Sequence, residues 1–79
     1  MNMMKQVRAL ALEHTYDELD SCVHAEISGE RNSCIRPVDG AIALDLLSRA
    51  GQVRQLLDGG MHINDAMREL GRRMRQLIK

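Results

Sequence analysis

The first third of the chain has apolar residues at helical spacing. They recur every three or four residues, as on one face of an amphipathic helix: Leu12, Tyr16, Leu19, Val23 and Ile27. The segment from Thr15 to Glu18 has the form of a capping box, in which each side chain accepts a hydrogen bond from the other's backbone amide. We therefore predict that residues 2–28 form either two helices that meet at His14 and Thr15 or one helix with a bend there.

A second interpretation competes at the end of this segment. Val23, Ala25 and Ile27 alternate with polar residues, and the turn-like stretch GERN separates them from a second short segment, SCIRPV. Alternation is typical of a strand, so a β-hairpin from about Cys22 to Val38 is the alternative to a helix. We place the helix first and keep the hairpin as the alternative, in which Pro37 would sit poorly in a central strand but acceptably in an edge strand.

The middle of the chain has the clearest helical pattern. Its apolar stripe has spacings of 4, 4, 3 and 4 residues: Ile42, Leu46, Ala50, Val53 and Leu57. Asp39 is the predicted N-cap, and Gly59 is the predicted stop. Gly51 lies inside this helix and costs about 1 kcal/mol relative to alanine, so we expect a packing reason such as the close approach of another helix.

The last segment combines an apolar stripe with a basic one. The apolar stripe contains Met67, Leu70, Met74 and Leu77, and the opposite side carries Arg68, Arg72, Arg75 and Lys79. Asn64 is a suitable N-cap, and Asp65 suits the positive end of the helix dipole. The pattern predicts a strongly amphipathic basic helix that starts near these two residues.

The stretch VRQLLDGGMHINDAMRELG, residues 53–71, resembles the first two helices of resolvase-type helix-turn-helix domains. The shared features are a helix ending in Leu-Leu, a glycine-rich turn, a capping polar residue and a short helix closed by Leu-Gly. The resemblance implies DNA binding through a recognition helix that would follow Gly71. Arg72 and Arg73 follow instead, without a capping residue, and only eight residues remain after Gly71. We therefore predict one continuous helix from Asp65.

Length and composition place these elements in one small domain. A chain of 79 residues buries only about 60% of the surface that its unfolded form exposes. Six methionines, one tyrosine and no phenylalanine or tryptophan leave an aliphatic core with methionine as filler. We predict a single all-α domain over residues 1–79, a bundle of three or four short helices that forms a homodimer. The α+β version with a hairpin at 22–38 is the alternative.

Charge is unevenly distributed, although the formal net charge is zero. Residues 13–30 carry six carboxylates and no lysine or arginine, whereas residues 68–79 carry five cations and one carboxylate. The first interpretation is that the two ends neutralise each other, within one chain or across a dimer. The second is that each end meets a separate partner.

The cysteines are predicted to be reduced thiols. No apolar run approaches the roughly 18 residues of a membrane span, and the start of the chain lacks the core of a signal peptide. We therefore predict a cytoplasmic location, where a disulfide between Cys22 and Cys34 is not expected. With His24 and His62 they supply four donors for zinc, but Cys22 and His24 would point about 200° apart on a helix. We predict no metal and no cofactor.

The predicted function is protein binding. The chain lacks a glycine-rich phosphate loop, and its carboxylates at 17, 18 and 20 would spread over the outer face of a helix. We therefore expect a non-enzymatic regulator or adaptor that binds another protein, a second copy, or both, through amphipathic helices. The alternative is a DNA-binding transcriptional regulator that uses the basic C-terminal helix on phosphates.

The predicted contact residues lie on the last helix. The apolar contacts are Met67, Leu70, Met74 and Leu77. The flanking cations, which would steer the helix toward an acidic surface, are Arg72, Arg73 and Arg75.

Overall fold

Four helices make up the part of the chain that the structure describes. The computed structural model describes residues 3–35 and 40–77, except the side chain of Leu77. The helices are α1 (Met3–Glu13), α2 (Tyr16–Ile27), α3 (Gly40–Asp58) and α4 (Ile63–Leu77). These ranges contain no strand, so the all-α prediction is confirmed and the hairpin alternative is wrong for residues 22–35. Asp39, Pro37 and Val38 lie outside the described residues.

The break between α1 and α2 is fixed by the predicted capping box. Thr15 Oγ1 accepts a hydrogen bond from the Glu18 N–H at 3.2 Å, and Glu18 Oε1 accepts one from the Thr15 N–H at 2.9 Å. These two bonds satisfy amides that have no partner within the helix, so a new helix begins at Tyr16. Of the two forms predicted for residues 2–28, the pair of helices is therefore confirmed.

The start of a new helix changes which side chains face the core. Leu12 was predicted to share a face with Leu19, but the chain turns between them. Leu19 is buried, whereas Leu12 is 53% exposed. Ile27, at the far end of the same predicted face, is 68% exposed.

Helices α2 and α3 end in the same backbone motif. Each is followed by a glycine with positive φ, Gly29 at 77° and Gly60 at 102°. The amide after each glycine donates to a carbonyl of the last helical turn, at 2.8 Å after Gly29 and at 3.0 Å after Gly60. This is the Schellman motif, whose left-handed residue favours glycine. The predicted stop at Gly59 is confirmed, since α3 ends at Asp58, and Gly60 is the residue in the left-handed conformation.

Helix α3 is central and packs against the other three helices. Its predicted stripe is buried at Leu46, Ala50 and Val53, whereas Ile42 is exposed. Leu47 is also fully buried, so α3 is covered on more than one side. Each buried leucine or valine contributes about 1.5–3 kcal/mol. The core takes residues from all four helices: Val7, Leu10, Ala11, Leu19, Cys22, Leu46, Leu47, Ala50, Val53, Ala66 and Leu70.

Arg54 joins α3 to the end of α1. Its Nη1 donates to the carbonyl oxygen of Ala11 at 3.2 Å. Its Nε and Nη2 donate to Asp58 Oδ1 at 2.9 and 2.7 Å, which holds the guanidinium in place. Carbonyls in the last turn of a helix have no partner within the helix, so this bond satisfies one of them.

A disulfide joins Cys22 of α2 to Cys34 in the loop that follows. The prediction of two reduced thiols is therefore wrong. Asn32 shapes this loop: its side-chain oxygen accepts the N–H groups of Cys34 and Ile35, both at 3.0 Å, and its Nδ2 donates to Glu26 Oε1 at 3.1 Å. The turn brings Cys34 back to α2. Because the two sulfurs are bonded to each other, neither is a thiolate for zinc.

Helix α4 continues through Gly71 as one helix, as predicted. It begins at Ile63, one residue before the predicted cap Asn64, and the Ala66 N–H donates to the His62 carbonyl at 2.8 Å. The separate recognition helix that a resolvase-type domain would have after Gly71 is absent up to residue 77. None of the four helices has the length and hydropathy of a membrane span.

Candidate functional site

The predicted apolar contact residues of α4 have different environments. Leu70 is only 1% exposed and packs in the chain's own core, so its predicted contact with a partner does not fit this structure. Met67 and Met74 pack against the core and keep part of their surface. The side chain of Leu77 lies outside the described part. The predicted partner contact therefore depends on the two methionines.

Two of the three predicted arginines are bound to one glutamate. The Glu69 carboxylate accepts bonds from Arg72 Nε and Nη2, both at 2.7 Å, and from Arg73 Nε at 3.1 Å. The hydrogen bond from Arg72 lowers the pKa of Glu69 to about 2, and the same bond raises the pKa of Arg72. Arg72 and Arg73 are thus partly neutralised within α4.

An open groove of about 500 Å³ lies between α1 and α4. Each helix contributes one methionine, Met4 and Met67, and the cations around them are Lys5, Arg8 and Arg68. Asn64 completes the lining. We call these six residues the basic groove. Within it, two flexible apolar side chains lie beside three positive charges.

The guanidinium of Arg68 is accessible to an incoming group, because its ion pair with Asp65 is exposed. Its Nη1 lies 3.4 Å from Asp65 Oδ1, but its side chain is 81% exposed. Ion pairs in such exposed positions contribute little, because water screens them and both side chains lose freedom. Helix α4 as a whole carries four arginines against two carboxylates, so its formal charge is positive.

Arg75 lies outside the lining of the basic groove, further toward the end of α4. A rotation of about 100° per residue places Arg75 within about 20° of Arg68, two turns further along the helix. Its Nη1 lies 3.8 Å from the position that a Cβ on Gly71 would take, so the guanidinium lies over that glycine. Of the predicted cations, Arg75 is the one most nearly in line with Arg68 along α4.

The acidic and basic helices do not neutralise each other within the described part of the chain. The arginines of α4 pair only with carboxylates three or four residues away in the same helix. Two carboxylates of α2 lie beside histidines of the same region, Glu18 at 3.7 Å from His14 and Asp20 at 3.4 Å from His24. The interpretation of neutralisation within one chain is therefore wrong for these residues.

The chemistry of the basic groove is suited to binding. Methionine is unbranched and polarisable and adapts to partners of different shape, and it is common on protein surfaces that bind several targets. A groove between two helices accepts a third helix whose anchors lie at i, i+3, i+4 and i+7. The cations around the methionines complement carboxylates on such a helix. The lining residues in the described ranges include no carboxylate, imidazole or thiol.

The α1 half of the basic groove was not predicted. Met4, Lys5 and Arg8 lie at helical spacing in the sequence, which is the one available signal. That signal does not say which helix packs beside α1. The contact between α1 and α4 joins the two ends of the chain and is set by the packing of both helices on α3.

Comparison with known proteins assigns no family. No protein-family model matches the chain, and neither the curated proteins nor the solved structures give a match. Function is therefore inferred from the basic groove itself.

Proposed function

We propose that this protein is a small non-enzymatic adaptor or regulator that binds an acidic amphipathic helix of another protein. The observation that supports this most is the basic groove, where Met4 and Met67 lie among Lys5, Arg8 and Arg68. Apolar and cationic groups together recognise a helix that has leucines on one side and carboxylates beside them.

Binding would proceed in two physical steps. The positive potential of Arg8, Arg68 and Arg75 attracts the carboxylates of the approaching helix and raises the association rate, an effect that salt screens. The apolar side of that helix then buries against Met4 and Met67, whose flexible side chains adjust to it. The arginines set orientation and the methionines supply most of the buried apolar area.

The direct test uses a labelled helical peptide of leucine and glutamate heptads, followed by fluorescence anisotropy. We expect saturable binding that weakens as salt rises from 50 to 300 mM. The double variant Arg8→Glu, Arg68→Glu should bind at least about tenfold more weakly, a difference of about 1.4 kcal/mol. The matched control is Arg31→Glu, an exposed loop arginine that does not line the basic groove. Equal losses in the two variants, or no binding by the natural chain, would overturn the proposal.

The second candidate is a DNA-binding regulator that uses α4. Its support is the four arginines of α4, of which Arg68, Arg72 and Arg75 lie along one side. The support is weaker because Glu69 binds Arg72 and would itself repel phosphate. A 20-base-pair duplex added to the peptide assay separates the two candidates. Displacement of the peptide by DNA at 150 mM salt would favour the DNA-binding candidate.

Homodimerisation stays a prediction. Ile42, at the start of α3, is 45% exposed and is the residue of the middle helix best placed to contact a second copy. Light scattering on the chain at micromolar concentration measures its mass directly. A dimer that dissociates in Ile42→Glu would support the prediction, and a monomeric natural chain would refute it.

The disulfide bears on where the protein acts. Disulfides persist in oxidising compartments and are rare in the cytosol, so the Cys22–Cys34 bond supports such a compartment over the predicted cytoplasm. Alkylation of free thiols in cells before lysis, followed by mass measurement, tests this. Recovery of the chain with both cysteines alkylated would support the cytoplasmic prediction instead.

A further inference from the structure

A second cleft, of about 220 Å³, lies between α2 and α3 and shares no residue with the basic groove. The partly exposed Val23 forms its accessible apolar wall in front of the buried Leu19 and Leu47, and Tyr16 and Asp20 lie at its α2 side. Pockets for small-molecule ligands are usually larger, roughly 300–1,000 Å³. This cleft has the size for one side chain of a partner.

Gly51 keeps this cleft open. A glycine inside a helix weakens it relative to alanine, and the sequence suggested close packing as the reason. The structure contradicts that reason, because a Cβ at this position would meet nothing nearer than Tyr16 Cε1 at 3.9 Å, an ordinary contact. The space that a side chain at position 51 would fill is part of the cleft.

The polar groups around the cleft are suited to a cation. Tyr16 is the chain's one aromatic residue, and its ring lies beside the open space above Gly51. Asp20 supplies a carboxylate with a half-exposed side chain, and Gln52 and Gln55 supply amide oxygens. The lining residues in the described ranges include no lysine, arginine or histidine, so no cation of the lining competes for these groups.

We propose that this cleft binds an arginine side chain of a protein partner. The guanidinium is flat, stacks on an aromatic face, and donates to a carboxylate and to neighbouring amide oxygens at the same time. Stacking on Tyr16 and pairing with Asp20 would use both properties, with the aliphatic stem beside Val23. Asp20 Oδ2 lies 3.4 Å from His24 Nε2, and the His24 side chain is 72% exposed and does not line the cleft.

This site goes beyond the proposed binding of an acidic helix and does not depend on it. With both sites, the protein carries opposite charge preferences on two surfaces, one for carboxylates and one for a guanidinium. Such a chain could join two partners, or hold two regions of one partner. Either proposal can be refuted while the other stands, because the two tests change different residues and use different peptides.

The test is an NMR titration of the full chain with the peptide acetyl-Ala-Arg-Ala-amide. The single tyrosine gives one ring spin system, so its shifts report on Tyr16 alone. We expect saturable shifts of the Tyr16 ring and the Gly51 amide, with a Kd on the order of 1 mM. The same peptide with glutamate should cause none, and the lysine peptide should bind at least threefold more weakly. Absence of saturable shifts, or equal affinity for the lysine peptide, would overturn the assignment.

Three variants make the test specific. Asp20→Asn should weaken binding at least fivefold, and the matched control Asp17→Asn, one helical turn away and outside the cleft lining, should leave it unchanged. Gly51→Ala should abolish the shifts while raising the melting temperature by about 4 to 8 °C, because alanine is the better helix former. Since this variant is expected to be more stable, its loss of binding would not come from unfolding. Undiminished binding by Gly51→Ala or Asp20→Asn would refute the proposal.

Discussion

Helices α2 and α4 carry opposite charge and are held in place by different means. The capping box of Thr15 starts α2, a Schellman motif at Gly29 ends it, and a disulfide ties Cys22 to the next loop. Both helices pack on α3, and the described residues of α4 include neither a capping box nor a disulfide. The fully buried residues of α4 are Ala66 and Leu70, and the partly buried Met67 and Met74 lie around them.

The two helices differ in how their ends are fixed and in which side chains make their contacts. The ends of α2 are fixed by local bonds, whereas α4 contacts its neighbours partly through methionines. The capping box and the Schellman motif fix where α2 begins and ends, and the disulfide ties the following loop to it, while the buried Leu19 and Cys22 pack α2 against α3. Methionine contacts allow α4 to shift by small amounts without losing apolar burial. We therefore expect the basic groove beside α4 to adjust to a bound helix, and the proposed arginine site beside α2 to accept a narrower range of ligands.

The largest expected effect comes from the packing of α4. Leu70→Ala should lower the free energy of unfolding by about 3 kcal/mol, because it removes a fully buried side chain and leaves a cavity. Urea unfolding followed by circular dichroism measures this. The control Leu12→Ala, at an exposed position, should change it by less than about 0.5 kcal/mol. A loss below about 1 kcal/mol for Leu70→Ala would mean that packing does not hold α4.

Reduction of the disulfide should have the next largest effect. Closing the short loop between Cys22 and Cys34, which are 12 positions apart, should stabilise the chain by about 2–3 kcal/mol. Urea unfolding with and without a phosphine reductant gives the difference. Under mild reduction, amide signals of α2 and its loop should shift while those of α4 stay in place. Equal amide shifts in α2 and α4 would contradict the expectation that the disulfide supports α2 and its loop but not α4.

Loss of the cap at α2 should cost less. Thr15→Ala should lower stability by about 1 kcal/mol, because the Glu18 amide loses its acceptor. The matched change at the other helix is Asn64→Ala. Asn64 lies inside α4 and is not its cap, so this change should cost clearly less. Thermal unfolding of both variants tests the order, and the reverse order would contradict the capping assignment.

The smallest expected effect is the acid sensitivity of α4. The hydrogen bond from Arg72 lowers the pKa of Glu69 from 4.5 to about 2. A carboxyl with a lowered pKa stabilises the folded state fully above its unfolded value, and this stabilisation is lost as the pH falls toward the folded value. The stability difference between the natural chain and Glu69→Gln should therefore be largest above pH 4.5 and vanish near pH 2. A difference that stays constant over this range would contradict the ion pair.

Local features of the fold were predictable from the sequence. The capping box joins residues three apart, so its pattern is visible in any helical segment that contains Thr15 and Glu18. The continuous helix through Gly71 followed from the absence of a second cap. The exposure of Leu12 was not predicted, because the helical face was extended across the break that the capping box itself creates.

Contacts between residues far apart in the sequence could not be predicted from local sequence patterns. The basic groove depends on α1 and α4 packing side by side on α3, and a single sequence carries no record of that contact. The disulfide is not expected in the predicted cytoplasmic location, whereas in the structure the loop that Asn32 turns places Cys34 beside Cys22. Leu70 was assigned to a partner because one apolar stripe serves equally for a core and for an interface.

The most direct test of the basic groove is an exchange of charges between the two binding partners. The double variant Arg8→Glu, Arg68→Glu should bind the acidic peptide at least about tenfold more weakly than the natural chain does, a difference of about 1.4 kcal/mol. A peptide whose glutamates are replaced by lysines should restore binding to the double variant. Its affinity should lie within about threefold of the affinity of the natural chain for the acidic peptide. Restored affinity would show that these arginines contact the carboxylates of the helix. If the double variant binds neither peptide, or still binds the acidic one at full strength, the acidic helix does not bind between α1 and α4.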